Sequence, residues 1–116
     1  MKKSIFLLIL FITVYQIFSN DRLAVLDFKS QDFNQNKINF ITETLTTEIS
    51  DKKIYEVIER TQLDKVYKEL NLSSQDDFDD SQILEIGKLS KANYVLVGSI
   101  DKIGDMIIIN TRVVET

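Results

Sequence analysis

The chain has 116 residues, a formal net charge of −4, and neither histidine nor cysteine. This length suits one domain with one modest hydrophobic core. The lack of His and Cys excludes disulfides and the usual zinc, haem and thiolate sites, so we predict no cofactor. Eighteen acidic side chains against fourteen basic ones argue against nucleic acid as a partner, because its phosphates repel an acidic surface.

The first nineteen residues have the pattern of an export signal. Lys2 and Lys3 precede an apolar run from Ile5 to Phe18, as in a secretory signal peptide. The run covers about fourteen residues, fewer than the ~20 that a membrane-spanning helix needs. An uncleaved membrane anchor is therefore the second interpretation. No cysteine follows the run, so we expect no lipid anchor of the bacterial lipoprotein type.

These features divide the chain into two parts. We predict a signal peptide at residues 1–19, with cleavage before Asn20, and a mature domain at residues 20–116. Without the two leader lysines the mature domain carries a net charge near −6. Because the sequence stops directly after a predicted strand, either the product is short or the domain is truncated at its C-terminal end.

The first half of the mature domain has the pattern of strand, helix and strand. Arg22–Lys29 (RLAVLDFK) is a short apolar run typical of a buried strand. From Asn36, apolar residues recur at helical spacing and predict an amphipathic helix that ends around residues 50–53. Ile54–Arg60 returns to a β-type composition. The apolar residues of the predicted helix are Ile38, Ile41, Leu45 and Ile49.

Two further helices follow. Thr61 and Asp64 resemble a capping box with Asp in place of Glu, which predicts a helix start at this point. An acidic loop comes next. At its end, Asp79 or Asp80 could cap a third helix, with Gln82 near its third position.

The chain ends on a predicted hairpin. Asn93–Ile100 (NYVLVGSI) is rich in β-branched and aromatic residues, Gly104 suits a turn with positive φ, and Met106–Val114 returns as the antiparallel partner. The fold class is therefore α/β: a single domain with a mixed sheet, helices packed on it, and the order β-α-β-α-α-β-β. The first β-α-β unit should be a parallel crossover. Since an exposed edge strand can take up a further strand, Met106–Val114 is our candidate surface for self-association.

Four segments of the mature domain carry a resemblance to a known family. They are the strand Leu23–Phe28, a strand-to-helix segment with Val57, Glu59, Arg60, Leu63 and Glu69, a helix-to-strand segment with Gly87, Lys88, Ala92, Tyr94, Val97, Gly98, Ser99 and Ile100, and a final strand with Arg112, Val113, Val114 and Thr116. In this order they resemble the CsgG-like family, the curli assembly components of bacterial envelopes. The motif residues that we single out as structural or interface sites are Asp27, Glu59, Arg60, Leu63, Gly87, Lys88, Gly98, Ser99 and Arg112.

The resemblance implies a non-catalytic module in the periplasmic space or on the periplasmic face of the outer membrane. It implies docking to other envelope proteins and to copies of itself. Family relatives include secretion-pore subunits, flagellar outer-membrane accessory proteins and activators of peptidoglycan synthases. The alternative is a subunit of a curli-type outer-membrane secretion channel. Pore-forming relatives, however, carry a lipoprotein cysteine and long inserted hairpins, whereas this chain has no cysteine and only the short turn DKIGD.

A small enzyme or nucleotide-binding domain is the third hypothesis. Asp27 ends the first predicted strand, where α/β folds often place functional carboxylates, but no acid–base partner is recognisable at catalytic spacing. We interpret it as a solvated strand end or as a pair with Arg60, which would tie adjacent loops together. The acidic loop lacks the Gly and distal Glu of a calcium loop, so capping of the next helix explains it better. We predict that the protein is not an enzyme.

Overall fold

The computed structural model of the chain describes residues 20–116, and the signal peptide predicted at residues 1–19 lies outside them. The order of elements confirms the predicted β-α-β-α-α-β-β arrangement. No helix within the described residues is long and apolar enough to cross a membrane. The elements are β1 (Arg22–Val25), α1 (Gln35–Asp51), β2 (Glu56–Val57), α2 (Arg60–Glu69), α3 (Asp80–Leu89), β3 (Tyr94–Ile103) and β4 (Met106–Glu115).

The four strands form one mixed sheet in the order β2-β1-β3-β4. β1 runs parallel to both of its neighbours, whereas β3 and β4 are antiparallel. This confirms the predicted parallel crossover and the predicted hairpin. Gly104 has φ +58° and is the only residue of the two-residue turn with a positive φ, as a type II′ turn requires. β4 is ten residues long and lies at the edge of the sheet.

Side chains that alternate along the strands pack into two different helical layers. Leu23 and Leu96 lie on the face that α1 covers. Ala24, Leu26 and Val95 lie on the opposite face, in a cluster with buried residues of α2 and α3. The sheet therefore carries two helices on one face and one helix on the other.

Two of the helices begin at caps that satisfy backbone N–H groups. At the start of α1, Asn34 Oδ1 accepts a hydrogen bond from the N–H of Lys37 at 2.9 Å. At the start of α3, Asp79 and Gln82 form a reciprocal capping box, with N–H to oxygen distances of 2.8 and 3.0 Å. The capping box of the third helix was expected from the sequence and is confirmed.

Two local predictions are wrong. Thr61 does not cap α2, which begins at Arg60 with Glu59 as N-cap and with no side-chain capping bond. Asp64 instead accepts a hydrogen bond from Arg60 Nε at 3.3 Å. The second strand is also shorter than Ile54–Arg60. As an edge strand it pairs with β1 at only two positions, and Ile54 is exposed.

Candidate functional site

The segment after β1 continues beside β3 although the regular ladder ends at Val25. The N–H of Leu26 donates to Leu96 O, and the N–H of Lys29 donates to Gly98 O, both at 3.0 Å. The predicted strand Arg22–Lys29 is thus regular only over Arg22–Val25, and its last residues make an irregular pairing with β3. This segment delivers the side chains of Asp27 and Lys29 to the carboxyl end of the parallel strands.

Asp27 is buried and forms a two-pronged ion pair with Arg60, the first residue of α2. Arg60 Nη1 donates to Asp27 Oδ1, and Nη2 donates to Oδ2 at 2.9 Å. The Asp27 side chain is 2% exposed and that of Arg60 is 50% exposed. The hydrogen bonds to Asp27 raise the pKa of Arg60. Because both carboxylate oxygens are engaged, the geometry suits holding α2 to the end of β1 rather than acid–base catalysis.

Tyr67 and Phe78 continue this cluster toward the acidic loop. Their rings are stacked, with centroids 5.8 Å apart. Lys29 Nζ lies 5.4 Å from the Phe78 ring centroid and donates to Ser74 O at 2.8 Å. Burial lowers the pKa of Lys29, although nearby carboxylates oppose that shift. Phe78 therefore folds back onto the core and anchors the loop that precedes α3.

A cleft of ≈ 290 Å³ opens between this loop and the hairpin. Its polar walls come from Lys29 and Asp77 on one side and from Ser99, Asn110 and Arg112 on the other. Arg112 Nη2 donates to Asp80 Oδ1 at 2.7 Å, and both side chains are largely exposed. The cleft is thus lined by hydrogen-bonding groups, of which Arg112 is paired with Asp80 and Lys29 is bonded to Ser74 O.

The structure brings some of the predicted site residues together and leaves others apart. Asp27 and Arg60 are in contact, while Gly98, Ser99 and Arg112 line the cleft just described. Leu63 is a core residue. The two remaining charged residues, Glu59 and Lys88, lie exposed at the start of α2 and in the last turn of α3.

Gly87 has a packing role. A Cβ at this position would meet Val95 Cγ2 at 2.8 Å and would also contact the Thr116 side chain. Real Cβ atoms do not approach other atoms that closely, so α3 rests on β3 through a position that needs glycine. Gly87 therefore allows close packing of α3 on the sheet.

A protein-family model matches most of this chain. The family model for the curli production assembly/transport component CsgG matches residues 9–116. This chain belongs to the CsgG family. Among curated protein sequences, none matches it. The family match begins within the apolar segment at 1–19, and the boundary at residue 20 remains a prediction.

Solved structures share the fold of this CsgG-family chain. The LpoB C-terminal domain from Escherichia coli superposes with a TM-score of 0.70 at 21% identity, over 83% of this chain and 72% of that chain. The NMR structure of E. coli LpoB gives 0.69 at 20% identity, over 84% of this chain and half of that one. Lipoprotein GNA1162 from Neisseria meningitidis gives 0.60 at 12% identity, over 81% and 68%.

Apart from Val113, the motif residues of the CsgG family did not point to an exposed apolar surface that α1 and β4 form. Phe40 on α1 is 70% exposed, and the β4 side chains of Ile107, Ile109 and Val113 are exposed on the same face of the sheet. Two signals in the sequence predict this surface. Phe40 lies outside the Ile/Leu stripe of its helix. Residues 106–109 are apolar at consecutive positions, so apolar side chains lie on both faces of this strand. One face of the strand is therefore exposed to solvent unless other elements cover both.

The Tyr67 hydroxyl provides a test of the cluster around Asp27. Burial, and then the negative charge of Asp27, raise the pKa of Tyr67 above its ordinary value of 10.0. The folded state therefore prefers the neutral phenol, so this contribution to stability is present below pH ~10 and is lost as the pH rises further. We expect the Tyr67→Phe variant to lose less unfolding free energy than the parent between pH 9 and 11.5, measured by urea denaturation. Equal losses in the two proteins would contradict a buried, neutral Tyr67.

Proposed function

We propose that this chain is a non-catalytic accessory module of a bacterial envelope assembly or secretion system, and that it acts by docking to another envelope protein. Membership of a family described as assembly and transport components supports this role. The shared fold with LpoB is compatible with it. The periplasm, or the periplasmic face of the outer membrane, is the proposed location, and the machinery of peptidoglycan synthesis is one candidate partner.

The free edge of β4 is the observation that carries the docking proposal. The N–H of Thr116 donates to Asn93 O at 3.0 Å, and hydrogen-bonded pairs alternate along an antiparallel ladder. The even-numbered residues of β4 therefore bond to β3. The odd-numbered ones direct their N–H and C=O groups to the open edge; these are Ile107, Ile109, Thr111, Val113 and Glu115.

This edge lacks the features by which sheet proteins usually prevent pairing. It is ten residues long, has no proline, and carries charges only at Arg112 and Glu115. Protected edges are typically short, bulged or charged. An extended segment of a partner could add to β4 as a fifth strand, with main-chain hydrogen bonds supplying affinity and alternate side chains supplying selectivity.

Replacing Thr111 with proline tests this mode of docking. Proline removes an N–H that points to the open edge, so the β3–β4 ladder should survive while strand addition is blocked. The Thr111→Ala variant keeps the N–H and is the matched control. We expect photo-crosslinking from position Asn110, in the native host envelope, to yield a discrete adduct in the control and none with Thr111→Pro. The same adduct in both variants would show that the edge is not the docking surface.

Fractionation of the host envelope, with mass spectrometry of the mature N-terminus, tests the location. A periplasmic protein that begins near Asn20 would support the docking module and the signal peptide together. A large detergent-resistant assembly in the outer membrane would instead favour the secretion-channel alternative.

A further inference from the structure

The face of the sheet that carries α1 is only half covered. α1 packs over the part of the sheet near β1, through Leu45 and Ile49. On the same face the side chains of β4 remain open to solvent, since Ile107, Ile109 and Val113 are 62%, 59% and 59% exposed. The opposite face has two helices, so the α1 face has room for one more.

The uncovered part forms a groove between α1 and β4. At one end a hollow of ≈ 250 Å³ lies between Ile49 and Val113, and Leu96 forms part of its wall. At the other end a larger hollow of ≈ 630 Å³ lies between Ile41 and Ile109. The strand between Ile107 and Val113 is ~20 Å long, a length that about fourteen residues of α-helix would cover.

Each hollow has an exposed apolar side chain at its rim. Phe40 borders the larger hollow and is 70% exposed, and Ile54 borders the smaller one and is 62% exposed. Protruding and recessed apolar elements therefore alternate on one face of the same molecule. A surface of this kind can be complementary to a copy of itself, which is the requirement for an isologous two-fold interface.

We propose that a second copy of this chain covers the groove, in a symmetric dimer whose two-fold axis runs parallel to α1. This axis lays α1 of each copy into the groove of the other and brings Phe40 over the partner's hollow beside Ile109. Two sheets then enclose a shared layer of two parallel helices, and each α1 face gains its second helix. We name this contact the groove interface; it consists of α1, Ile54 and the exposed β4 residues Ile107, Ile109 and Val113.

The available surface is adequate for a dimer of moderate affinity. Five side chains of the groove interface are 59–70% exposed, and together they present on the order of 500 Å² of apolar surface, a large part of the ~800 Å² that each partner of a standard interface buries. Apolar patches of this size are among the largest that monomers expose and are often functional. The exposed polar side chains of α1 supply the remaining contact area.

The net charge of the chain and the open β4 edge distinguish this dimer from docking at the strand edge. Each mature copy carries a net charge near −6, so copies repel one another, and added salt should strengthen an association driven by apolar contact. The groove interface also leaves the N–H and C=O groups of the β4 edge free. Dimerisation is therefore separable from the docking function proposed above, and either can fail without the other.

Sedimentation velocity on the purified mature chain, over a range of protein and salt concentrations, tests the dimer. We expect a monomer–dimer equilibrium that tightens with salt. Phe40→Asp and Ile109→Asp should each weaken it by roughly tenfold or more. Met106→Asp is the matched control, because Met106 is 65% exposed on the opposite face of the hairpin and should leave the equilibrium unchanged.

Engineered cysteines locate the contact, because the chain has none of its own. Copies with Phe40→Cys, mixed with tagged copies with Ile109→Cys, should form a mixed disulfide dimer. A mixture of Phe40→Cys with Met106→Cys copies should not. A chain that stays monomeric at all concentrations, or a dimer that survives both aspartate variants, would overturn the proposal. So would a dimer that Thr111→Pro abolishes while Thr111→Ala and the two aspartate variants keep it, since that result would assign self-association to the strand edge.

Discussion

Replacing Arg60 with methionine is expected to lower the free energy of unfolding by about 3 kcal/mol, because it leaves the buried Asp27 carboxylate without its partner. Methionine keeps most of the aliphatic packing and removes only the guanidinium. The Asp27 side chain is 2% exposed, so its carboxylate would lose two hydrogen bonds at a largely buried position. Chemical denaturation of the two proteins measures the difference.

The exposed ion pair of Arg112 with Asp80 is a built-in control. Arg112 and Asp80 are 54% and 80% exposed, and exposed pairs contribute only ~0–1 kcal/mol. Arg112→Met should therefore change stability by less than 1 kcal/mol. Adding Asp27→Asn to Arg60→Met should recover part of the loss, because it removes the unpaired charge. Similar losses for the two methionine variants would mean that Asp27 is accessible to water.

A single methyl group at Gly98 is expected to destabilise the domain by about 2 kcal/mol through overpacking. A Cβ at this position would lie 2.8 Å from the backbone oxygen of Asn110 and 2.9 Å from Phe28 Cζ. The first of these atoms belongs to the paired strand β4 and cannot move without breaking the ladder. The Phe28 ring is buried against Ile38 and Ile100, so it has little room to shift.

Gly104→Ala separates this steric effect from the backbone cost of losing a glycine. The turn at Gly104 has no atom within 4 Å of an added Cβ, and its φ of +58° is the only source of strain, for which about 1 kcal/mol is expected. Phe28→Leu should reduce the penalty of Gly98→Ala and leave that of Gly104→Ala unchanged. Thermal or urea unfolding of the single and double variants provides the values. No interaction between Phe28→Leu and Gly98→Ala would contradict the close contact.

Local sequence patterns were sufficient for much of this fold. The apolar stripe of α1, the Asp79–Gln82 cap and the turn at Gly104 all depend on neighbouring residues, and each was predicted from them. The start of α2 was not predicted, because it depends on the ion pair of Arg60 with Asp27, which is 33 positions away in the chain. The short β2 likewise depends on where β1 can offer a partner.

The candidate surfaces were likewise predictable from the sequence only in part. The pairing of Asp27 with Arg60 was among the interpretations of the sequence, whereas the stacking of Tyr67 on Phe78 depends on how the acidic loop folds back. The exposed apolar residues of the groove have signals in the sequence, but their assembly into a groove beside α1 could not be predicted from periodicity alone. It arises because one helix covers a face of four strands, and the number of helices on a face is a property of the tertiary arrangement.

The position of β1 in the sheet has a consequence for the order in which the domain folds. β1 occupies a central place, yet its neighbour β3 lies far along the chain: the N–H of Arg22 bonds to Asn93 Oδ1, 71 positions later. The β3–β4 hairpin is local and can form early, but closing so long a loop is slow. A chain that crosses a membrane with its N-terminus first would therefore carry a β1 without its β3 neighbour until almost all of the chain had emerged, and the central pairing of the sheet would form last.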